Sequence, residues 1–467
     1  MRYSYKTKPF EHQREALKKG ALLKKFAYFM EQGTGKTKVT IDNAAYLHSM
    51  NEINTVLVIA PNSVYRNWED ELEAHCPVDY KVQSAKTKKP LFVGNGLNYF
   101  LTNIESFSRK SGAEKVKKLI DEYADKMMVV IDESTTIKNH TAKRTKNLIK
   151  LTQKVKYKRI LSGTPVTKSP LDLYSQCDFL NKELLGFNSF YTFRARYCYL
   201  QPIPSKSTGR QIMLPLYFTN LGELEHKLDR FSYRVRKQDC LDLPDKIYQQ
   251  RFVELKGSQL EVYNNLKTFA RAMFKDKEAT FTNKLSEIVK LHQVCCGYFV
   301  SDEGEVKDLE NPKLDELLNI IEESDGKIII WANYVKSIEN IVNTLQKKYG
   351  ETSVVSLYGA VKVDDRKENV RKFDKDPNVR FFVGNPVTGG YGLNLVSSNT
   401  VIYFSNNYDL EVRLQSEDRA HRIKQKNKVT YIDITCKNTI EEFILKALRK
   451  KLKISAQTLG EEVLDFL

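Results

Sequence analysis

The sequence lacks the features of a membrane-embedded or disulfide-stapled protein. Its apolar runs reach only about six to eight residues, against the ~20 that a membrane-spanning helix needs. Met1–Phe10 has no apolar core, so no secretory leader is expected. Cysteine is sparse and unpatterned. Cys76, Cys177, Cys198, Cys240, Cys295, Cys296 and Cys436 are odd in number and form no CxxC pair. That excludes a disulfide framework and a zinc ribbon, and it suits a reducing, intracellular setting. No short-period repeat or low-complexity tract interrupts the 467 residues, which sets solenoid architectures aside. Negative charge is also in deficit. Asp and Glu total 58 against 75 Lys and Arg, a formal net charge of +17. A polyanion is the expected partner, nucleic acid before a membrane surface. A merely basic soluble enzyme is the alternative.

Hydrophobic content of 41% and charged content of 28% are ordinary for a folded chain, and the length allows about three structural units. Short runs rich in Val and Ile recur at Val56–Ala60, Met127–Ile131, Arg159–Leu161, Lys327–Trp331, Arg380–Val383, Val401–Phe404 and Val429–Ile434. Continuous β-branched runs fit strands buried on both faces, and amphipathic stretches between them predict βαβ units with parallel sheets. The runs fall before about residue 165 and after about residue 325, which predicts two α/β domains. Residues 186–310 are richer in aromatics, Lys and Glu and predict a mainly helical insert and linker, with 201–210 as a solvated loop. The expected division is 1–185, 186–310 and 311–467.

Three local patterns carry chemistry. The first is Met30-Glu-Gln-Gly33-Thr34-Gly35-Lys36-Thr37, placed between an apolar segment and a helical pattern. Glycines let backbone N–H groups approach phosphate oxygens, and the following helix N-terminus favours negative charge. Lys36 is placed to reach the β- and γ-phosphates of a nucleotide and Thr37 to ligate Mg²⁺. The strict pattern has Gly where Met30 stands. The second is Val129-Val-Ile-Asp132-Glu133-Ser-Thr135, a carboxylate pair at the end of an apolar strand. Asp132 is a candidate for Mg²⁺ and Glu133 for orienting and deprotonating water; an acidic helix cap is the plainer alternative. The third is Gln415-Ser-Glu-Asp418-Arg419-Ala-His421-Arg422-Ile-Lys-Gln425. Its arginines, three apart, suit a transferring phosphoryl group or, more simply, a solvated basic helix end.

This third string resembles the arginine-finger motif of superfamily-2 DNA translocases of the SWI/SNF type, and the resemblance runs along nearly the whole chain. It implies two RecA-like parallel-sheet lobes. Phe10-Glu-His-Gln13 resembles the adenine-reading segment, with Gln13 its glutamine. Gly33, Thr34, Gly35, Lys36 and Thr37 fall at the phosphate loop. Gly392, in Gly389-Gly390-Tyr-Gly392-Leu393-Asn394-Leu395, falls in the glycine-rich motif that faces nucleotide and DNA. Arg419 and Arg422 fall at the arginine finger. Pro61, Asn62 and Ser63, with Asn67-Trp68, resemble the first DNA-contacting motif. Thr102-Asn103, Lys138, Asn333 and Thr388 fall where further strand contacts are expected. Thr135, Ser162, Thr164 and Gln415 fall where ATP state is coupled to DNA. Thr135 replaces the family's usual His, and its hydroxyl suits a hydrogen bond to Ser162 or Thr164. Asn385-Pro386-Val387-Thr388 replaces a more usual Ser-Thr-Lys-Ala run.

Phe193–Cys198, Asn220–Leu224, Arg234–Lys237 and Leu243–Lys246 resemble the annealing-helicase branch, and the compact form resembles phage and bacterial members. The resemblance implies an ATP- and Mg²⁺-dependent monomer acting on duplex, forked or four-way DNA by branch migration, fork regression or strand annealing. It implies the cytoplasm of a bacterial cell or host rather than a nucleus. A strand-separating DNA or RNA helicase and a non-catalytic DNA-binding scaffold are the competing classes. No wedge element is identifiable in the sequence.

Overall fold

Strands form where β-branched and aromatic runs are flanked by turn residues. The computed structural model describes residues 4–61, 65–85, 91–108, 110–204, 211–275, 281–361, 363–388, 393–423 and 425–461. In chain order the strands are β1 (Lys25–Met30), β2 (Thr55–Ile59), β3 (Tyr80–Ser84), β4 (Leu97–Thr102), β5 (Met127–Asp132), β6 (Tyr157–Leu161), β7 (Cys198–Pro204) and β8 (Gln211–Phe218). They continue as β9 (Ser232–Val235), β10 (Lys246–Val253), β11 (Tyr298–Val300), β12 (Val306–Asp308) and β13 (Lys327–Trp331). The last are β14 (Val354–Leu357), β15 (Phe381–Gly384), β16 (Ser398–Tyr403) and β17 (Val429–Cys436).

Two sheets result, of order β3-β4-β2-β5-β6-β1-β9 and β10-β17-β16-β13-β15-β14. Every pairing within them is parallel. Parallel strands need crossover helices, and those helices cover both faces. The side chains show it. Along β1, Ala27 and Phe29 join one apolar core and Phe26, Tyr28 and Met30 the other. Along β13, Ile328 and Ile330 are divided in the same way from Ile329 and Trp331. The protein is thus two α/β lobes, as its alternating pattern predicts.

The lobes are not simple halves of the chain. One compact unit comprises Met1–Gln201, Pro215–Asp242 and Lys453–Val463; the other is built mainly from Leu243–Leu452. The stretch 186–310 supplies helices, including Gly257–Lys275 and Phe281–Cys295, but also an edge strand to each sheet, β9 and β10. Its 201–210 segment, expected as a loop, begins as the end of β7, which pairs with β8 in a two-stranded ribbon. Cys295 and Cys296 are wholly buried in the core of the second lobe. Among the described residues no helix is long and apolar enough to cross a membrane.

That core also holds a buried ion pair. Lys313 is fully buried and its Nζ lies 2.5 Å from Glu441 Oε1; the Cys436 N–H donates to Glu441 Oε2 at 2.8 Å, and His292 Nε2 lies 3.4 Å away. Burial alone would push the Glu441 carboxyl up, but Lys313 and His292 outweigh it and hold it at about 2. A depressed carboxylate contributes stability that is present above its ordinary pKa near 4.5 and is lost as pH falls toward 2. Glu441→Ala is expected to cost about 3–5 kcal/mol, because it leaves a buried ammonium uncompensated. Denaturant unfolding followed by Trp331 fluorescence in a Trp68→Phe background checks this. The acid-sensitive component below pH 4.5 should shrink in Glu441→Gln, with the part due to Glu417 remaining.

Candidate functional site

The first lobe brings its chemistry to the C-terminal ends of β1, β5 and β6. After Met30 the chain turns through Gly33 (φ 87°) and Gly35 (φ 89°) into the helix Lys36–Ser49. Both glycines lie in the left-handed region that side chains disfavour. At Gly35 a Cβ would also sit 2.1 Å from Gln13 Nε2. Gln13 explains the crowding. Its Nε2 donates to the Thr34 carbonyl at 3.0 Å and its Oε1 accepts from the Phe10 N–H at 3.1 Å, while His12 Nε2 lies 2.8 Å from the same Thr34 carbonyl. The loop is fixed from behind, and no side chain caps the helix start. A helix N-terminus of this kind is suited to a phosphate. Lys36 is buried and Thr37 half-buried at its first turn.

Asp132 ends β5 with both oxygens engaged. Oδ2 accepts from the Trp68 indole N–H at 2.9 Å and Oδ1 from the Glu133 N–H at 3.1 Å. Burial raises its pKa above the usual carboxylate range, and the Lys36 ammonium, Trp68 and the Glu133 amide each pull it back. Lys36 and Asp132 therefore share one electrostatic site. Glu133 is buried and its backbone is left-handed, φ 53°. For a non-glycine residue such a conformation costs about 1–3 kcal/mol, and such strain clusters at functional sites.

The turn Ser134–Ile137, which carries the buried Thr135, is tied to the loop after β6. Ser134 Oγ donates to Gln176 Oε1 at 2.6 Å; Gln176 Nε2 donates to the Pro165 and Asp172 carbonyls at 2.8 Å each. Within that loop Ser162 Oγ accepts from the Thr164 N–H at 3.2 Å. Arg234 of β9 donates to the Gly163 carbonyl at 2.8 Å. At Gly163 a Cβ would lie 3.1 Å from Gln32 N, so this loop packs against the phosphate loop. Three neighbouring strand ends are thereby joined.

The expected DNA contacts fall differently. Pro61 is half-buried after β2; Asn62 and Ser63 lie outside the described residues. Thr102 ends the neighbouring strand β4 and Asn103 follows it; both are buried, with Asn103 Oδ1 accepting from the Ser106 N–H at 3.1 Å and from the Ser106 hydroxyl. Lys138 Nζ donates to Thr167 Oγ1 at 2.8 Å. In the second lobe Asn385 joins two of the candidates. Its Nδ2 donates to the Asn333 carbonyl at 2.7 Å, and its Oδ1 accepts from the Thr388 N–H at 3.4 Å.

The second lobe also gathers the arginines. The helix Leu410–Glu417 ends before them, so they lie on a turn rather than a helical face. They converge all the same: Arg419 Nη1 and Arg422 Nη1 lie 3.4 and 3.2 Å from the Leu393 carbonyl. Leu393 follows Gly392, which is outside the described residues. The turn is anchored by a buried charge cluster. Glu417 accepts from Arg413, Lys246 and Tyr248 at 2.8, 3.0 and 2.7 Å, and Arg413 also binds Asp433. Burial opposes ionisation of Glu417, yet Lys246 and Arg413 hold it at about 2. Gln415 is buried and donates to Glu411 at 3.3 Å.

Sequence reasoning missed three residues. Trp68 stands in the sequence beside the first DNA-contacting pattern, yet it donates to Asp132; a buried indole usually finds such a partner, which was the available signal. Gln176 sits fully buried in the helix Leu173–Leu180, and Arg234 lies on a four-residue strand. Gln176 had no local pattern to betray it, and the run Arg234–Lys237 pointed to a branch of the family but not to the Gly163 carbonyl.

Comparison with known proteins gives the family of the chain. The SNF2-related domain model matches residues 27–299, and the helicase conserved C-terminal domain model matches residues 312–424. The chain is 27% identical over 464 residues to the transcription regulatory protein SNF2 of Saccharomyces cerevisiae, covering 92% of this chain and 26% of that protein. It is 29% identical over 443 residues to the uncharacterized ATP-dependent helicase MG018 of Mycoplasma genitalium, covering 93% and 40%. The chain thus spans between a quarter and about two fifths of the length of these relatives. Among solved structures it is similar to the Sulfolobus solfataricus SWI2/SNF2 ATPase core in complex with dsDNA, at 27% identity and TM-score 0.44, covering 98% of this chain and 95% of that one.

The geometry of the loop gives a prediction. Gly35→Ala forces both a left-handed alanine and a displaced Gln13, so nucleotide binding should fall by roughly tenfold or more while the fold survives. Titration with a fluorescent nucleotide, alongside thermal melting, checks both halves.

Proposed function

Because the chain belongs to the SNF2-related domain family, we propose that it is the ATP-hydrolysing core of a DNA translocase. It moves along duplex DNA and remodels branched or duplex substrates by branch migration, fork regression or strand annealing. The observation that carries this reading is the phosphate loop held against Gln13 with Lys36 beside the buried Asp132. The printed name of the Mycoplasma relative, an ATP-dependent helicase, supports ATP as the nucleotide.

In this mechanism the chain positions the nucleotide and neutralises its charge, which is most of what phosphoryl transfer requires. Backbone N–H groups at Gly33–Thr37 cradle the phosphates, and Lys36 engages the β- and γ-phosphates. Gln13 serves the adenine side and steadies the loop through Thr34. The Thr37 hydroxyl and the Asp132 carboxylate are hard oxygen donors at one site, a set that fits Mg²⁺. Bound there, Mg²⁺ would offset charge on the phosphoryl group. Glu133 orients the attacking water and accepts its proton. Arg419 and Arg422 stabilise the charge that develops on the transferring group, as arginine fingers do.

DNA is held through phosphates by Pro61, Asn62, Ser63, Thr102, Asn103, Lys138, Asn333 and Thr388, without base readout. Thr135, Ser162, Thr164 and Gln415 pass nucleotide state to those contacts. In the first lobe the Ser134–Gln176–Pro165 bridge supports that role, because it joins the Asp132 and Ser162 loops through one buried side chain.

The test is ATP hydrolysis without nucleic acid and with single-stranded DNA, linear duplex, fork, four-way junction and RNA. Strong stimulation by duplex or branched DNA is expected and should weaken as salt rises; stimulation by single strands or RNA alone overturns the reading. Lys36→Ala should abolish hydrolysis, and Arg422→Ala should block turnover while ATP still binds. Trp68→Phe removes one hydrogen bond to a carboxylate, worth about 1.5–3 kcal/mol, so kcat should fall by roughly ten- to a hundredfold. Its loss also lets the Asp132 pKa rise further, so the acid limb of the pH–rate profile should move to higher pH.

A further inference from the structure

We propose that the ribbon β7–β8 is a pin on which unpaired nucleobases stack at a junction between duplex and single-stranded DNA. The inference rests on the DNA-motor reading and adds a substrate preference to it.

The ribbon is firmly held at its base. Tyr197, just before β7, is fully buried, and its hydroxyl donates to Glu223 Oε1 at 3.0 Å. Arg196 Nε donates to Glu223 Oε2 at 2.9 Å, and Lys227 approaches the same carboxylate. After β8, the Thr219 N–H donates to the Tyr197 carbonyl at 3.0 Å and Asn220 Nδ2 to the Arg196 carbonyl at 2.8 Å. Both ends of the ribbon are therefore fastened to each other and to the helix Leu221–Asp229.

Among the described residues beyond this base, Gln201, Pro202, Gln211 and those from Met213 to Tyr217 face solvent. Met213, Leu214, Leu216 and Tyr217 are each 42–52% exposed and come from both faces of β8; Tyr199 is 54% exposed. The Tyr199 and Tyr217 rings stack at 4.9 Å with planes 8° apart. Folded chains rarely display so many consecutive apolar side chains without a partner for them. An isolated two-stranded ribbon is only marginally stable, so exposed apolar residues on an anchored one point to a ligand rather than a core.

Charge selects the ligand. Among the described residues from Leu184 to Gly222 the charged side chains are Arg194 and Arg196, with no Asp or Glu, and Arg196 is already paired with Glu223. Arg194 lies over the rings of Phe190 and Tyr191, the latter 67% exposed. Aromatic faces with flanking cations suit unstacked bases on a phosphate backbone, and Leu, Met and Pro side chains suit insertion beside a base step. Bases inside an intact duplex offer no such faces, so the occupant is a nucleic acid with bases already unpaired.

The test compares the wild-type protein with Tyr199→Ala/Tyr217→Ala on blunt duplex and on a fork carrying 2-aminopurine at its first unpaired position. For the wild type, quenched 2-aminopurine emission and tighter binding to the fork than to blunt duplex are expected. The double variant should lose that preference by roughly tenfold, with blunt-duplex-stimulated ATP hydrolysis and thermal melting unchanged. Tyr199→Phe/Tyr217→Phe should keep it, since the ring faces remain. Retained preference and quenching in the alanine variant, or no fork preference in a wild type that duplex does stimulate, overturns the pin while leaving the motor reading intact. The latter result would point to a protein occupant. No stimulation by any DNA removes the motor reading and the pin with it.

Discussion

The carboxylate of Asp132 is buried at the end of a strand whose every residue is buried, and the first lobe is arranged to offset that burial in part with donors and a cation. Desolvation opposes ionisation, so charge survives there only with donors and a cation close by. Each donor comes from a different element. Trp68 belongs to the helix after β2, the Glu133 amide to the strained turn after β5, and Lys36 to the helix after β1. A parallel sheet brings these connections to one edge, because all its strands end on the same side. The division of alternate strand residues between two cores fixes which way each strand faces, and hence where its last residue points.

The second lobe solves a related problem with opposite signs. Its two arginines sit on an irregular turn, which by itself would not hold a side chain in one place. The support is a buried cluster in which Glu417 binds two cations and a phenol, and Arg413 spans Glu417 and Asp433. Such pairs add little net stability compared with a well-packed apolar core, but breaking one is costly, so they impose a single geometry. Rigid support beneath an irregular segment lets the arginines share one carbonyl despite leaving the helix.

Much of this was legible in the sequence. Continuous β-branched runs found the central strands, because burial on both faces leaves an unbroken apolar signature. The glycine loop and carboxylate pair were readable because their chemistry is local. What escaped was non-local or at an edge. β10, with its sequence Lys-Ile-Tyr-Gln-Gln-Arg-Phe-Val, is only partly buried, and β9 is four residues long, so neither gives a strong period. The basic run from Lys138 to Arg159 shows the limit of counting charge. With nine Lys or Arg and no Asp or Glu, it reads as a solvated charged helix face or a phosphate-tracking surface, yet Arg159 is fully buried with its guanidinium on Asn43 and on backbone carbonyls, and Lys158 is buried on the Phe179 carbonyl. Lys156 is paired with Glu52, which leaves Lys143, Lys146, Lys150 and Lys154 as the outward part.

The left-handed backbone at Glu133 filters substitutions before chemistry does. Glycine, asparagine and aspartate enter that conformation at low cost, whereas valine, isoleucine and threonine are penalised by their branched Cβ. Sequence drift at this position therefore follows a narrow corridor of backbone-tolerant residues, most of which cannot take up a proton from water. A single substitution away from glutamate can therefore keep the fold while removing the carboxylate from the turn.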